Sequence, residues 1–116
     1  MSSQEQWSNE RVLEFLELYQ AEPLLWNPMI RDHKNRNAVA DTWQRVKTNF
    51  SMPCTINEFK KKRESLMSTY RLYYKKTKES IRLGAATSEI FRSTWFAYEL
   101  MDSFLGPIYN KRKLIQ

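Results

Sequence analysis

Cysteine is nearly absent from this chain, with Cys54 the single one in 116 residues. That excludes an internal disulfide and points to a reducing compartment. Histidine is as scarce. His33 and Cys54 together cannot supply the ligands of a structural zinc site, so no metal or other cofactor is expected. Two glycines and four prolines are too few for an all-β sandwich or barrel, which needs a turn signal every ~8–12 residues. Gly84 and Gly106 stand far apart and form no phosphate-cradling loop. Neither His33 nor Cys54 has a sequence partner for general-base or nucleophilic work, and enzyme activity is not expected. A thiol at the start of the third helix would have a lowered pKa, but one such residue does not make a cysteine enzyme. No apolar run reaches the ~18 residues of a membrane span, and Met1-Ser2-Ser3-Gln4-Glu5 lacks the basic and apolar regions of a secretory leader. Neither a membrane partner nor a leader is expected.

What the chain has instead is aromatic rings and unevenly placed charge. Aromatics make up 14% of the residues, including four tryptophans, which implies a core built from large rings. At this length about two-thirds of the unfolded surface can be buried, enough for one domain. The formal net charge is +6. Residues 1–30 set Arg11 against Glu5, Glu10, Glu14, Glu17 and Glu22, a net of −4, whereas residues 31–82 carry +9. The split predicts one acidic and one basic face, and a concentrated basic face attracts polyanions.

Apolar spacing gives the elements. Val12, Leu13, Phe15, Leu16 and Tyr19 predict a first helix over 9–20, capped by Ser8 or Asn9 and ended by Pro23. Val39, Trp43, Val46 and Phe50 predict a second over 36–49. A Thr-x-x-Glu capping box at Thr55 and Glu58 opens a long third helix that runs to about Leu83, with Gly84 as its stop. Its apolar stripe is Phe59, Leu66, Tyr70 and Tyr73. At 100° per residue, Lys60, Lys61, Arg71, Lys75, Lys78 and Arg82 fall on the opposite half, where Glu64 and Glu79 can pair with Lys60 and Lys75. A linker over 84–88 and a short turn over 89–92 precede a fourth helix, expected from Ser93 or Thr94 to Leu105 and terminated by Gly106-Pro107. The fold class is all-α, and the expected core is Phe15, Leu16, Trp26, Trp43, Val46, Phe59, Leu66, Tyr70, Trp95, Leu100 and Phe104.

Four blocks of residues then resemble a known family. They are Phe15-Leu16 with Tyr19 and Pro23-Leu24-Leu25-Trp26-Asn27; Lys34-Asn35-Arg36 with Thr42-Trp43-Gln44-Arg45-Val46; Phe59-Lys60-Lys61-Lys62-Arg63 with Leu66 and Tyr70-Arg71; and Trp95-Phe96 with Leu100 and Ser103-Phe104-Leu105. In this order they look like a MADF domain, a Myb/SANT-like helical module, over about residues 11–106. The resemblance implies a three-helix, helix-turn-helix-type bundle with a fourth C-terminal helix, in a nuclear regulator whose third helix reads DNA. It also divides the chain into an N-terminal extension (1–10), the domain (11–106) and a basic tail (107–116). Three departures stand out: Arg63 where the family usually has tryptophan, Met67 where it has arginine, and His33 where it often has an aromatic.

The expected function is therefore a nuclear DNA-binding module of a transcriptional regulator. Its third helix enters the major groove of double-stranded DNA, with Lys60, Lys61, Arg71, Lys75, Lys78 and Arg82 on phosphates or base edges. The alternative is a chromatin-associated protein-interaction domain that offers Glu10, Glu14 and Glu17 to a basic partner, with Trp7 or Tyr74 as anchor. Trp7 is equally readable as an N-terminal staple. Arg63 lies near the apolar stripe and must snorkel outward or pair with a carboxylate. Lys111-Arg112-Lys113 is the better import or anchoring candidate.

Overall fold

The computed structural model describes residues 7–84 and 90–115. The linker expected at 85–88, Glu89 of the following turn, and residues 1–6 of the expected extension lie outside the described residues. Four helices form the fold: α1 (Asn9–Gln20), α2 (Arg36–Asn49), α3 (Ile56–Arg82) and α4 (Tyr98–Ile115), with a 3-10 turn at Pro23–Leu25. No strand occurs among the described residues.

Local chemistry explains where the first three helices begin. Ser8 Oγ accepts the Arg11 N–H at 3.1 Å, and Asn35 Oδ1 accepts the Ala38 N–H at 3.0 Å. At α3 the capping box is reciprocal. Thr55 Oγ1 accepts from the Glu58 N–H at 3.1 Å, and Glu58 Oε1 accepts from the Thr55 N–H at 2.7 Å. α3 ends at Arg82, and Gly84 takes the left-handed conformation at φ 76° that only glycine adopts cheaply.

The helices close around stacked rings. Phe15 of α1 and Phe59 of α3 stack at 5.5 Å between centroids, both fully buried. Trp43 of α2 is buried beside Tyr19, and Leu16, Val46, Leu66, Tyr70, Met101, Phe104 and Leu105 complete the interior. Trp7 packs inward: its ring stacks on Phe50 at 5.2 Å and meets Phe15 and Phe59 edge-on. Three residues expected inside sit instead at the rim. Trp26, Trp95 and Leu100 are half-buried, packed against the core from outside. Trp26 leans on Phe104 and donates its indole N–H to the Tyr19 carbonyl at 3.0 Å, a bond that fixes the turn after α1. Trp95 lies on Tyr73, at 6.1 Å, away from the other tryptophans. Rings of this size carry a polar edge that seeks a partner, so they settle where core meets surface.

The fourth helix departs most from expectation. It starts at Tyr98 because Ser93 and Trp95 form a capped turn, with the Trp95 N–H on Ser93 Oγ at 3.1 Å. Gly106-Pro107 does not stop it, and the helix continues through the segment expected as a tail, to Ile115. Pro107 cannot serve the Ser103 carbonyl, but Ser103 is exposed and water reaches it. A Cβ on Gly106 would lie 2.9 Å from Asp102 Oδ1, so glycine leaves room for the carboxylate that accepts the Tyr70 hydroxyl at 2.7 Å. Beyond the proline the helix is held to α3, where the Tyr74 hydroxyl donates to Asn110 Oδ1 at 2.6 Å and Tyr109 packs on Tyr70 and Tyr74.

Candidate nucleic-acid interface

α3 presents its apolar stripe to the core and so turns its opposite half outward. At 27 residues it is about 40 Å long. Lys60, Lys61, Arg71, Lys75 and Arg82 are exposed, and Lys78 is half-buried. The outward face therefore unites all six cations singled out in the sequence, but their surroundings differ.

Among the described residues, no carboxylate forms an ion pair with Lys60, Lys61 or Lys75. Glu64 and Glu79 were expected to take Lys60 and Lys75. They take arginines instead: Glu64 meets Arg63 at 3.4 Å, and Glu79 meets Arg82 at 2.9 Å with further bonds to its Nε. At Arg82 the planar guanidinium fork meets the Glu79 carboxylate at two points, which an ammonium cannot match. Arg82 is thus largely compensated, while the lysines keep their charge for solvent. Lys78 lies over the Tyr74 ring, 5.3 Å from its centroid, so its stem is steadied without loss of charge. Arg71 donates its Nε–H to the Tyr109 hydroxyl at 3.1 Å.

Other cations lie outside that set of six, Lys62 among them although it belongs to the basic run Lys60–Arg63. Lys62 covers the Trp7 ring at 5.2 Å, and Lys76 lies over Tyr73 and Phe91. Arg31, Lys34 and Arg36 are exposed in and after the loop before α2. Their signal was the +9 balance of residues 31–82, which did not say which members lie on one surface. Of the two outcomes expected for Arg63, it takes the carboxylate, contacting Glu64 at 3.4 Å, and instead of turning outward its guanidinium covers the buried Trp43 ring at 5.3 Å.

Tyr70, expected in the core, is buried there, whereas Tyr73 of the same stripe is half-buried and stacks on Phe91 instead. Burial pushes Tyr70 well above the ordinary phenol range, and its bond to Asp102 adds to the shift. Burial likewise raises the Cys54 thiol, with Glu58 nearby. The lowered pKa that a helix N-terminus would give is not found, because Cys54 is buried before the cap. Among the described residues no group of three or more His, Cys, Asp or Glu is placed to hold a metal ion. No described helix is long and apolar enough to cross a membrane.

α3 is thus a long capped helix, set on a ring-filled helical bundle, whose outward Lys60, Lys61 and Lys75 have no ion-pair partner among the described residues. The family model described as alcohol dehydrogenase transcription factor Myb/SANT-like, the MADF DNA-binding domain, matches residues 15–105. The chain belongs to the MADF family. No curated protein and no solved structure matches it. The MADF match takes in α2, α3 and the core-facing part of α4. Trp7 and the stretch of α4 from Gly106 onward lie beyond it. Both nonetheless pack on the matched region, Trp7 on Phe15 and Phe59, Tyr109 on Tyr70.

Proposed function

We propose that this chain is the DNA-binding module of a nuclear transcriptional regulator and that α3 lies in the major groove of a duplex. The observation that carries this reading is the outward row on α3 in which Lys60, Lys61 and Lys75 keep their charge. From Lys60 to Lys78 the row rises about 27 Å, a little less than one turn of duplex. Lys60, Lys61, Arg71, Lys75 and Lys78 hold phosphates or base edges, and Arg82 contributes less because Glu79 holds it. A basic protein that neutralises five phosphates loses affinity with salt at a slope of about −4.5 in log–log terms.

The test is a duplex titration at several salt concentrations. The double variant Lys60→Ala, Lys61→Ala should weaken binding at low salt and flatten the slope by roughly 2. Unchanged affinity would remove α3 from the interface. Selection from a random duplex pool then separates sequence-specific recognition from general affinity.

Partner recruitment in chromatin is the second reading. It rests on Glu10 and Glu17, which are exposed on α1. Its other elements are occupied internally: Glu14 accepts from the Ser51 N–H and hydroxyl, Trp7 is packed against Phe50, and Tyr74 bonds Asn110. DNA is therefore the favoured partner.

A further inference from the structure

Beside the outward row lies a cleft of about 360 Å³, between the 3-10 turn and its following loop, one flank of α3, and the middle of α4. Trp26 and Met67 supply apolar walls, and two guanidinium groups line it, Arg63 and Arg71. They stand eight residues apart on α3, about 12 Å along its axis. Each is positioned by an aromatic side chain. Arg63 rests on the Trp43 ring and faces the buried Tyr19 hydroxyl, whose pKa burial raises and Arg63 draws back down. Arg71 is oriented through its Nε–H by Tyr109. Among the described residues Glu64 is the only carboxylate lining the cleft, it meets Arg63 at 3.4 Å, longer than a close charge-assisted bond, and none pairs with Arg71. His33 closes the loop side, its Nδ1 on the Leu24 carbonyl at 2.9 Å, with exposed Arg31 and Lys34 around it in sequence.

We propose that this cleft is a phosphate subsite held by Arg63 and Arg71, and that its occupant is a backbone phosphodiester of the bound duplex. The inference rests on the DNA-binding reading: it assigns Arg71 of the outward row to a phosphate and adds Arg63, which lies outside that row. The chemistry fits because a guanidinium fork grips two phosphate oxygens at once. Fixing Arg71 by Tyr109 and Arg63 by Trp43 lowers the ordering cost of that grip. The occupant is argued from continuity. On the helix wheel Lys60, Arg63, Arg71 and Lys78 fall within one sector of about 80°, so a strand following the exposed lysines passes the cleft mouth.

The test uses the full chain and follows the arginine Nε–H resonances while inorganic phosphate, a short duplex or a phosphoserine peptide is added. Phosphate and duplex are expected to shift Arg63 and Arg71 together. Arg71→Gln should weaken duplex binding several-fold and flatten the salt slope by about 0.9. Arg63→Lys, which keeps the charge but loses the fork, should weaken it less, and Arg82→Gln hardly at all. If the duplex binds and the lysine double variant weakens it, yet Arg71→Gln and Arg63→Lys leave affinity and slope unchanged, the subsite is overturned and the DNA reading stands. If no duplex binds while the phosphopeptide shifts both arginines, the duplex assignment is overturned together with the DNA reading.

Discussion

Single side chains fix the joints between elements here, and Glu14 shows how. It lies on α1, yet its carboxylate accepts both the N–H and the hydroxyl of Ser51, at 2.8 and 2.7 Å, tying α1 to the turn after α2. The hydroxyl's bond above all, with the backbone bond adding to it, lowers its pKa below the ordinary carboxylate value and outweighs the opposing effect of burial. The folded pKa is below the unfolded one. The stabilisation is therefore complete above the unfolded value and is lost as pH falls through the folded one. Ser51→Ala should thus be less stable than the parent at neutral pH, and the gap should shrink as pH drops below about 4. Urea denaturation at pH 7 and pH 3 checks this, and a gap that does not depend on pH would refute it. Nothing in the sequence announced this pair, since Glu14 and Ser51 are 37 residues apart. The same holds for Glu22, which grips Arg45 at two points, 3.0 and 2.8 Å. Partner choice among charges was legible only as a list of local options. Glu64 and Glu79 had lysines at helical spacing; the Arg82 fork took Glu79, and Glu64 lies 3.4 Å from Arg63.

Elements were read better where the signal is local. The bounds of α1, α2 and α3 follow from apolar spacing and caps, both of which reside in a few adjacent residues. Thr55→Ala removes one half of the α3 box and should cost about 1 kcal/mol in a chemical melt, with duplex contacts untouched. α4 misled for a physical reason. Gly-Pro is a strong local stop, but here the glycine makes space for Asp102 and the chain beyond is recaptured by α3, which is a tertiary event. Tyr109 is the hinge of that recapture, since it meets Tyr70 and Tyr74 and receives Arg71. Tyr109→Ala should lower stability by about 2 kcal/mol and weaken helical Cα shifts over 108–115. Helical shifts that survive would place the hold elsewhere.

At the scale of the molecule, charge separation follows from how α1 and α3 meet. Phe15 and Phe59 stack face to face, so the outward sides of the two helices point away from each other. On their helix wheels Glu10 and Glu17 lie roughly opposite Phe15, and Lys61 and Lys75 roughly opposite Phe59, so screening over about 8 Å at physiological salt weakens their mutual effect. The two faces therefore act almost independently, and the acidic one neither cancels nor assists the basic one. That separation also explains what was legible about the interface. The sign of each face follows from counting charge along the chain, whereas the Arg63–Arg71 cleft depends on the 3-10 turn, α3 and α4 converging, and no segment carries that alone. The independence has a measurable consequence. Glu10→Gln with Glu17→Gln adds two to the net charge far from α3, so duplex affinity at physiological salt should change by less than about twofold. At low salt the longer screening length should let it rise. A basic partner held through α1 would instead be lost in the same variant, and fluorescence anisotropy with duplex and with a lysine-rich peptide distinguishes the two. Loss of duplex binding in this variant would mean that DNA meets the acidic side, contrary to the geometry of the stacked helices.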